Sequence, residues 1–139
     1  MINTLTITRP DDWHIHFRDG EAMRSVVPDT AKVFARAIVM PNLKPPVLSV
    51  ADAMAYRERL LQSAQGTEFA PLMTLYLTDN TTPEQIREAK ASGMIHALKY
   101  YPAGATTNSD SGVTELLKAY PAIAAMEEAG IPLLLHGEV

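Results

Sequence analysis

At 139 residues, 47% hydrophobic and 20% charged, the chain has the length and composition of one globular domain and not of a disordered segment. A formal net charge of -4 argues against a nucleic-acid footprint, and the absence of cysteine leaves histidine, carboxylate and modified lysine as metal ligands. No apolar run nears the roughly 20 residues of a membrane span, and residues 1–7 carry no signal-peptide pattern, so a cytoplasmic protein with neither a membrane nor a nucleic-acid partner is expected.

Alternation over residues 5–7 predicts a short amino-terminal strand. Residues 13–17 form a second extended run, with Trp13, Ile15 and Phe17 facing away from His14 and His16. Asp19-Gly20 turns the chain, 21–27 is helical until Pro28 interrupts it, and a further helical piece covers 29–35. Residues 37–40 read as a buried strand, closed by Pro41-Asn42 and a Pro45-Pro46 loop. Ser49 with Asp52 three residues on makes a capping start for a helix over 50–63, with Ala53, Met54, Leu60, Leu61 and Ala64 on its apolar face. Residues 69–77 are the third strand. Thr82-Pro83-Glu84-Gln85 opens a helix that stops at Gly93, and 95–100 is the fourth strand. A Gly/Thr/Asn/Ser-rich loop spans 102–112. Helical segments at 114–120 and 121–129 are separated by a break at Pro121, and 131–135 is the fifth strand.

Regular strand–helix alternation with doubly apolar strands implies parallel pairing and right-handed crossovers, hence an α/β fold. Without a Gly-rich dinucleotide fingerprint, the pattern fits a partial TIM (β/α)8 barrel of about five units, a whole barrel needing about 250 residues. The chain stops directly after a strand-like segment. Residues 1–139 therefore read as the amino-terminal part of a single barrel domain, truncated after its fifth strand, inert alone and prone to aggregate through open strand edges.

A barrel carries its chemistry at the carboxyl ends of its strands. His14 and His16 end the first, Asn42 the second, Lys99 the fourth and His136 the fifth. A lone His-x-His pair is more often just polar positions beside an apolar face; a further imidazole at another strand end shifts the balance toward metal ligation. His96, earlier in the fourth strand, reads as a structural imidazole. Lys99 as an ordinary lysine reaches water along the surface. Its ammonium cannot ligate metal, whereas a neutral amine that takes up carbon dioxide becomes a carbamate able to bridge two cations. Spacing alone does not establish that modification. Arg18 is a surface ion-pair residue or, one strand step beyond His16 and so on the same face, a fork for a substrate carboxylate. Asn42 is a turn residue or a site residue. Residues 105–108 are a connector or a lid. Asp11, Asp12 and Asp19 are turn or solvated carboxylates without a catalytic role.

The motifs Asp11-Asp12-Trp13-His14-Ile15-His16-Phe17-Arg18-Asp19-Gly20, Val39-Met40-Pro41-Asn42, Leu98-Lys99-Tyr100-Tyr101-Pro102-Ala103 and Leu135-His136-Gly137-Glu138 resemble, in order, the bacterial single-barrel dihydroorotases of the metal-dependent amidohydrolase superfamily. The resemblance implies two zinc ions per subunit. His14 and His16 would hold one, His136 the second, and Lys99, N6-carboxylated, would bridge both. Substrate contacts are implied for His16, Arg18, Asn42, His136 and the loop residues Thr106 and Thr107. The implied reaction is reversible cyclisation of N-carbamoyl-L-aspartate to (S)-dihydroorotate and water, in pyrimidine synthesis, by a cytoplasmic homodimer. No catalytic acid or base is expected within these residues, since the family places an aspartate after its eighth strand. A dihydropyrimidinase-like or hydantoinase-like cyclic amidohydrolase, or a noncatalytic scaffold of this fold, remains open.

Overall fold

The computed structural model describes residues 3–137. Glu138, which belongs to the last motif, lies outside the described residues, as do Met1, Ile2 and Val139. Five strands, β1 (Asp11–Ile15), β2 (Arg36–Val39), β3 (Ala70–Leu77), β4 (Ile95–Tyr100) and β5 (Leu133–Leu135), alternate with four helices, α1 (Gly20–Val33), α2 (Val50–Ser63), α3 (Pro83–Ser92) and α4 (Leu116–Ala129). The strands pair in parallel in the order β1-β2-β3-β4-β5. Sequential order with a helix between every two strands is half of a (β/α)8 barrel, as the alternation predicts.

Local chemistry accounts for most element boundaries. Ser49 and Thr82 each form a reciprocal capping box, with Asp52 and Gln85 respectively. Pro83 fills the first helical position of α3, and Gly93 ends that helix in the left-handed region at φ 65°. The core is one cluster, made by strand residues such as Val39, Leu75 and Leu98 with Val27, Leu60, Ile86 and Met126 from the helices.

Several boundaries differ from the sequence expectation. Residues 5–7 form no strand; Leu5 is 83% exposed and Ile7 68%, and β1 pairs only with β2. Pro28 does not divide α1. Met23, Val27 and Ala31 are buried on either side of it, so packing outweighs the missing hydrogen bond. Pro121 is the sixth residue of α4 and forgoes one interior hydrogen bond, but the helix continues because Ala119, Ala122, Ala125 and Met126 are buried on either side of it. That helix starts at Leu116 instead of 114; the Thr114 hydroxyl donates to Asp79 at 2.6 Å and accepts from Lys118 Nζ at 2.7 Å, and does not cap. On α2 the inward residues are Ala53, Tyr56 and Leu60, followed by Ala64; Met54 points out. β5 is confined to Leu133–Leu135, since the Ile131 amide closes α4 by bonding Met126 O at 2.9 Å.

Candidate metal and substrate site

β1 delivers His14, and the chain just beyond it His16, with their rings 5.1 Å apart. The Nε2 atoms face each other at 3.1 Å. This matches the edge of a tetrahedral zinc site, about 3.3 Å for Zn–N bonds of about 2.0–2.1 Å. The two imidazoles thus share one face with their Nε2 atoms converging, as period-two spacing predicts.

Asn42, buried after β2, sets the tautomer of His16. Its Nδ2 donates to Thr107 O at 2.9 Å, so its Oδ1 is the atom facing His16 Nδ1 at 2.8 Å. An amide oxygen only accepts, so Nδ1 carries the proton and the Nε2 lone pair is left toward His14 and the cavity. Burial lowers the His16 pKa, outweighing the Asn42 bond that raises it; Arg18, His14 and Lys99 lower it further. The ring is therefore neutral near pH 7, the form that binds metal.

Lys99, in β4, is 2% exposed, and burial pushes its pKa down. The amine donates to Leu135 O at 3.0 Å and lies 5.2 Å from the Tyr101 ring centroid. It is not the surface lysine of the ordinary reading. His136 follows β5, its backbone amide bonded to Tyr100 O at 3.0 Å and its ring 5.9 Å from that of Tyr101.

An open cavity of about 590 Å³ collects these groups, lined by His14, His16, Tyr101, Thr106, Leu135 and His136. Among the predicted site residues, His14, His16, Thr106 and His136 share this lining. Asn42 and Lys99 reach it through His16 and Leu135. Thr107 contributes its carbonyl to Asn42 and keeps its side chain exposed. His96 is exposed, its Nδ1 3.2 Å from Met94 O, and takes no part in the cavity.

Arg18 is positioned differently from the sequence expectation. The strand ends at Ile15, and Arg18 adopts φ 61°, a left-handed conformation uncommon without glycine. The Tyr56 hydroxyl donates to Arg18 O at 2.8 Å and helps fix the kink. Its Nη1 is buried without a hydrogen-bond partner among the described residues.

Tyr76 and Tyr101 escaped the sequence reading, and Asn108 entered it only as part of the 105–108 connector or lid. Asn108 Nδ2 donates to Asn42 O at 3.0 Å, and Tyr76 OH donates to Asn108 O at 3.2 Å, so the 102–112 loop is latched to the β2 end by amides on both sides. Tyr101 walls the cavity. Its position two residues after Lys99 is the same period-two signal that His14 and His16 carry.

The sequence model of the amidohydrolase family matches residues 7–138. The chain belongs to the amidohydrolase family. Among similar proteins, a dihydroorotase of Cupriavidus necator is 66% identical over 140 residues, covering all of this chain and 41% of the relative. A crystal structure of dihydroorotase from Campylobacter jejuni superposes with a TM-score of 0.87 at 38% identity, over 94% of this chain and 38% of that one. Dihydroorotase from Saccharomyces cerevisiae in complex with 5-fluoroorotic acid gives 0.83 at 37% identity, over 92% and 35%. The chain thus spans about two fifths of the length of the curated relatives it matches.

Amidohydrolase membership implies a metal cofactor in general terms. Among the described residues no three His, Cys, Asp or Glu side chains cluster around one point. The histidine pair with its fixed tautomer fits a metal. Within the described residues, buried Lys99 is a further candidate, of another type. No helix among the described residues is long and apolar enough to cross a membrane.

Proposed function

We propose that this amidohydrolase chain forms the first five units of one barrel domain of a dihydroorotase. The whole enzyme would interconvert N-carbamoyl-L-aspartate and (S)-dihydroorotate plus water in pyrimidine synthesis, in the cytoplasm and as a homodimer. The observation that carries this reading is the His14–His16 pair, its Nε2 atoms 3.1 Å apart and its inner ring keyed by Asn42, inside a cavity that also holds His136. The 66% identity to a dihydroorotase supports the substrate assignment over a hydantoin or uncharged pyrimidine ring.

In this reading His14 and His16 hold one zinc ion, His136 the second, and Lys99 bridges both as N6-carboxylysine. When bound, such ions lower the pKa of water and polarise an amide carbonyl. The remaining work belongs to the protein. Burial favours the neutral Lys99 amine, which is the nucleophilic form toward carbon dioxide. A carbamate keeps one N–H, so the bond to Leu135 O can survive the modification. Arg18 supplies a guanidinium fork for the substrate carboxylate, alongside Asn42, His16 and His136. Thr106 and Thr107 contact substrate from the loop. None of residues 1–139 is assigned as the general acid or base; the family pattern gives that role to an aspartate after the eighth strand.

The test is hydrolysis of dihydroorotate by the full-length protein, with zinc analysis. Turnover with two zinc ions per chain is expected. Metal-free protein without turnover refutes the enzyme reading and leaves a scaffold, whereas preference for an uncharged ring amide favours a hydantoinase-like activity. Turnover by the 139-residue chain alone refutes the assignment of the acid/base outside it.

A further inference from the structure

We infer that Tyr101 is a second anchor for the anionic group of the ligand, its hydroxyl completing with Arg18 a two-donor carboxylate clamp. The inference rests on the dihydroorotase reading and extends it to a residue that neither the metal set nor the loop requires.

Buried donors are nearly always paired. Among the described residues two buried side-chain polar atoms lack a partner, Arg18 Nη1 and the Tyr101 hydroxyl. They flank His16: Arg18 follows it by two residues along the chain, and Tyr101 lines the same cavity with it. The guanidinium nitrogen only donates and the hydroxyl can donate, so a group that accepts twice satisfies them together. A carboxylate does so with two oxygens, and its charge answers the guanidinium.

The rest of Tyr101 already has structural partners. Its ring packs 5.0 Å from Tyr76 and 5.9 Å from His136, with the Lys99 amine 5.2 Å from its centroid. Its carbonyl accepts the Val113 amide at 2.9 Å, which fixes the base of the loop. A phenylalanine would supply every one of these contacts. The hydroxyl is the only part of this 1%-exposed side chain without a structural partner.

The experiment compares Tyr101→Phe with Tyr120→Phe in the full-length holoprotein, using dihydroorotate kinetics and calorimetric binding of orotate. Tyr101→Phe is expected to raise KM and weaken orotate binding by about tenfold, with kcat held within about twofold. Tyr120→Phe removes an exposed hydroxyl on α4, away from the cavity lining, and should leave orotate affinity unchanged. Unchanged orotate affinity in Tyr101→Phe, a fall in kcat alone, or equal losses in both variants overturns the clamp. Absence of turnover in the unsubstituted protein instead refutes the dihydroorotase reading, and the clamp with it.

Discussion

Nδ1 of His16 donates to Oδ1 of Asn42 across 2.8 Å, and this bond decides which nitrogen of the imidazole faces the cavity. The same amide holds Thr107 O, so one side chain both orients a candidate ligand and latches the loop. Asn42→Ala is expected to destabilise the fold by about 1–3 kcal/mol through the unpaired groups it leaves, and to weaken zinc binding by about 10–100-fold through the freed ring. Urea denaturation and zinc titration measure the two separately. Unchanged zinc affinity would show that the His16 tautomer does not depend on Asn42.

Lys99 is buried at 2% exposure, with its amine donating to Leu135 O at 3.0 Å. Replacing it with methionine keeps the volume and removes a desolvated charge, so Lys99→Met is expected to change stability by less than about 1.5 kcal/mol. Metal content of the full-length protein should fall, and incorporation of isotope-labelled carbon dioxide should disappear. Retention of full metal content in Lys99→Met would exclude a bridging carbamate.

Asp79 anchors the far end of the 102–112 loop. Its carboxylate accepts Thr114 Oγ1 at 2.6 Å, the Thr114 amide at 2.8 Å and Lys118 Nζ at 3.2 Å. The Thr114 bonds, side chain first, hold its pKa below the ordinary 3.8, burial opposes them weakly, and Lys118 adds to the lowering. A carboxyl that titrates lower folded than unfolded adds stability above its unfolded pKa and loses it as pH falls through the folded one. The denaturation midpoint should therefore drop below pH 3.8 more steeply in the wild type than in Asp79→Asn. Parallel pH profiles would dismiss the anchor.

Gly112 sits where the loop returns to β4. A Cβ there would stand 2.4 Å from Tyr101 O and 2.9 Å from Ser109 O, both backbone atoms that cannot swing aside. Gly112→Ala is expected to cost about 1–3 kcal/mol by overpacking. It should also displace Tyr101, read as a change in near-ultraviolet circular dichroism. Wild-type stability would mean that the loop base is looser than this contact implies.

Much of the fold was legible because its signals are local. Capping boxes at Ser49 and Thr82, Pro83 and Gly93 each act within one turn, and α2 and β4 lie where the sequence places them. The prolines misled for the opposite reason. Pro28 and Pro121 break helices by a local rule, but Val27 and Ala122 are buried by strands and helices distant in sequence, and that burial outweighs the rule. Leu5 and Ile7 fail in the converse way: their alternation is strand-like, yet no neighbouring strand offers a ladder.

The order of strands and helices, the shared face of His14 and His16, and the polar residues at strand ends follow from periodicity along the chain, which a backbone of period two or 3.6 imposes without help from afar. Tertiary structure alone decided that Asn42 keys His16 and Thr107, that Arg18 turns left-handed under Tyr56, and that the Tyr101 hydroxyl is buried without a partner among the described residues. Each of these depends on atoms brought within about 3 Å from separate segments, and such meetings are set by how the sheet curls and the loops cross it, not by the spacing of residues along the chain.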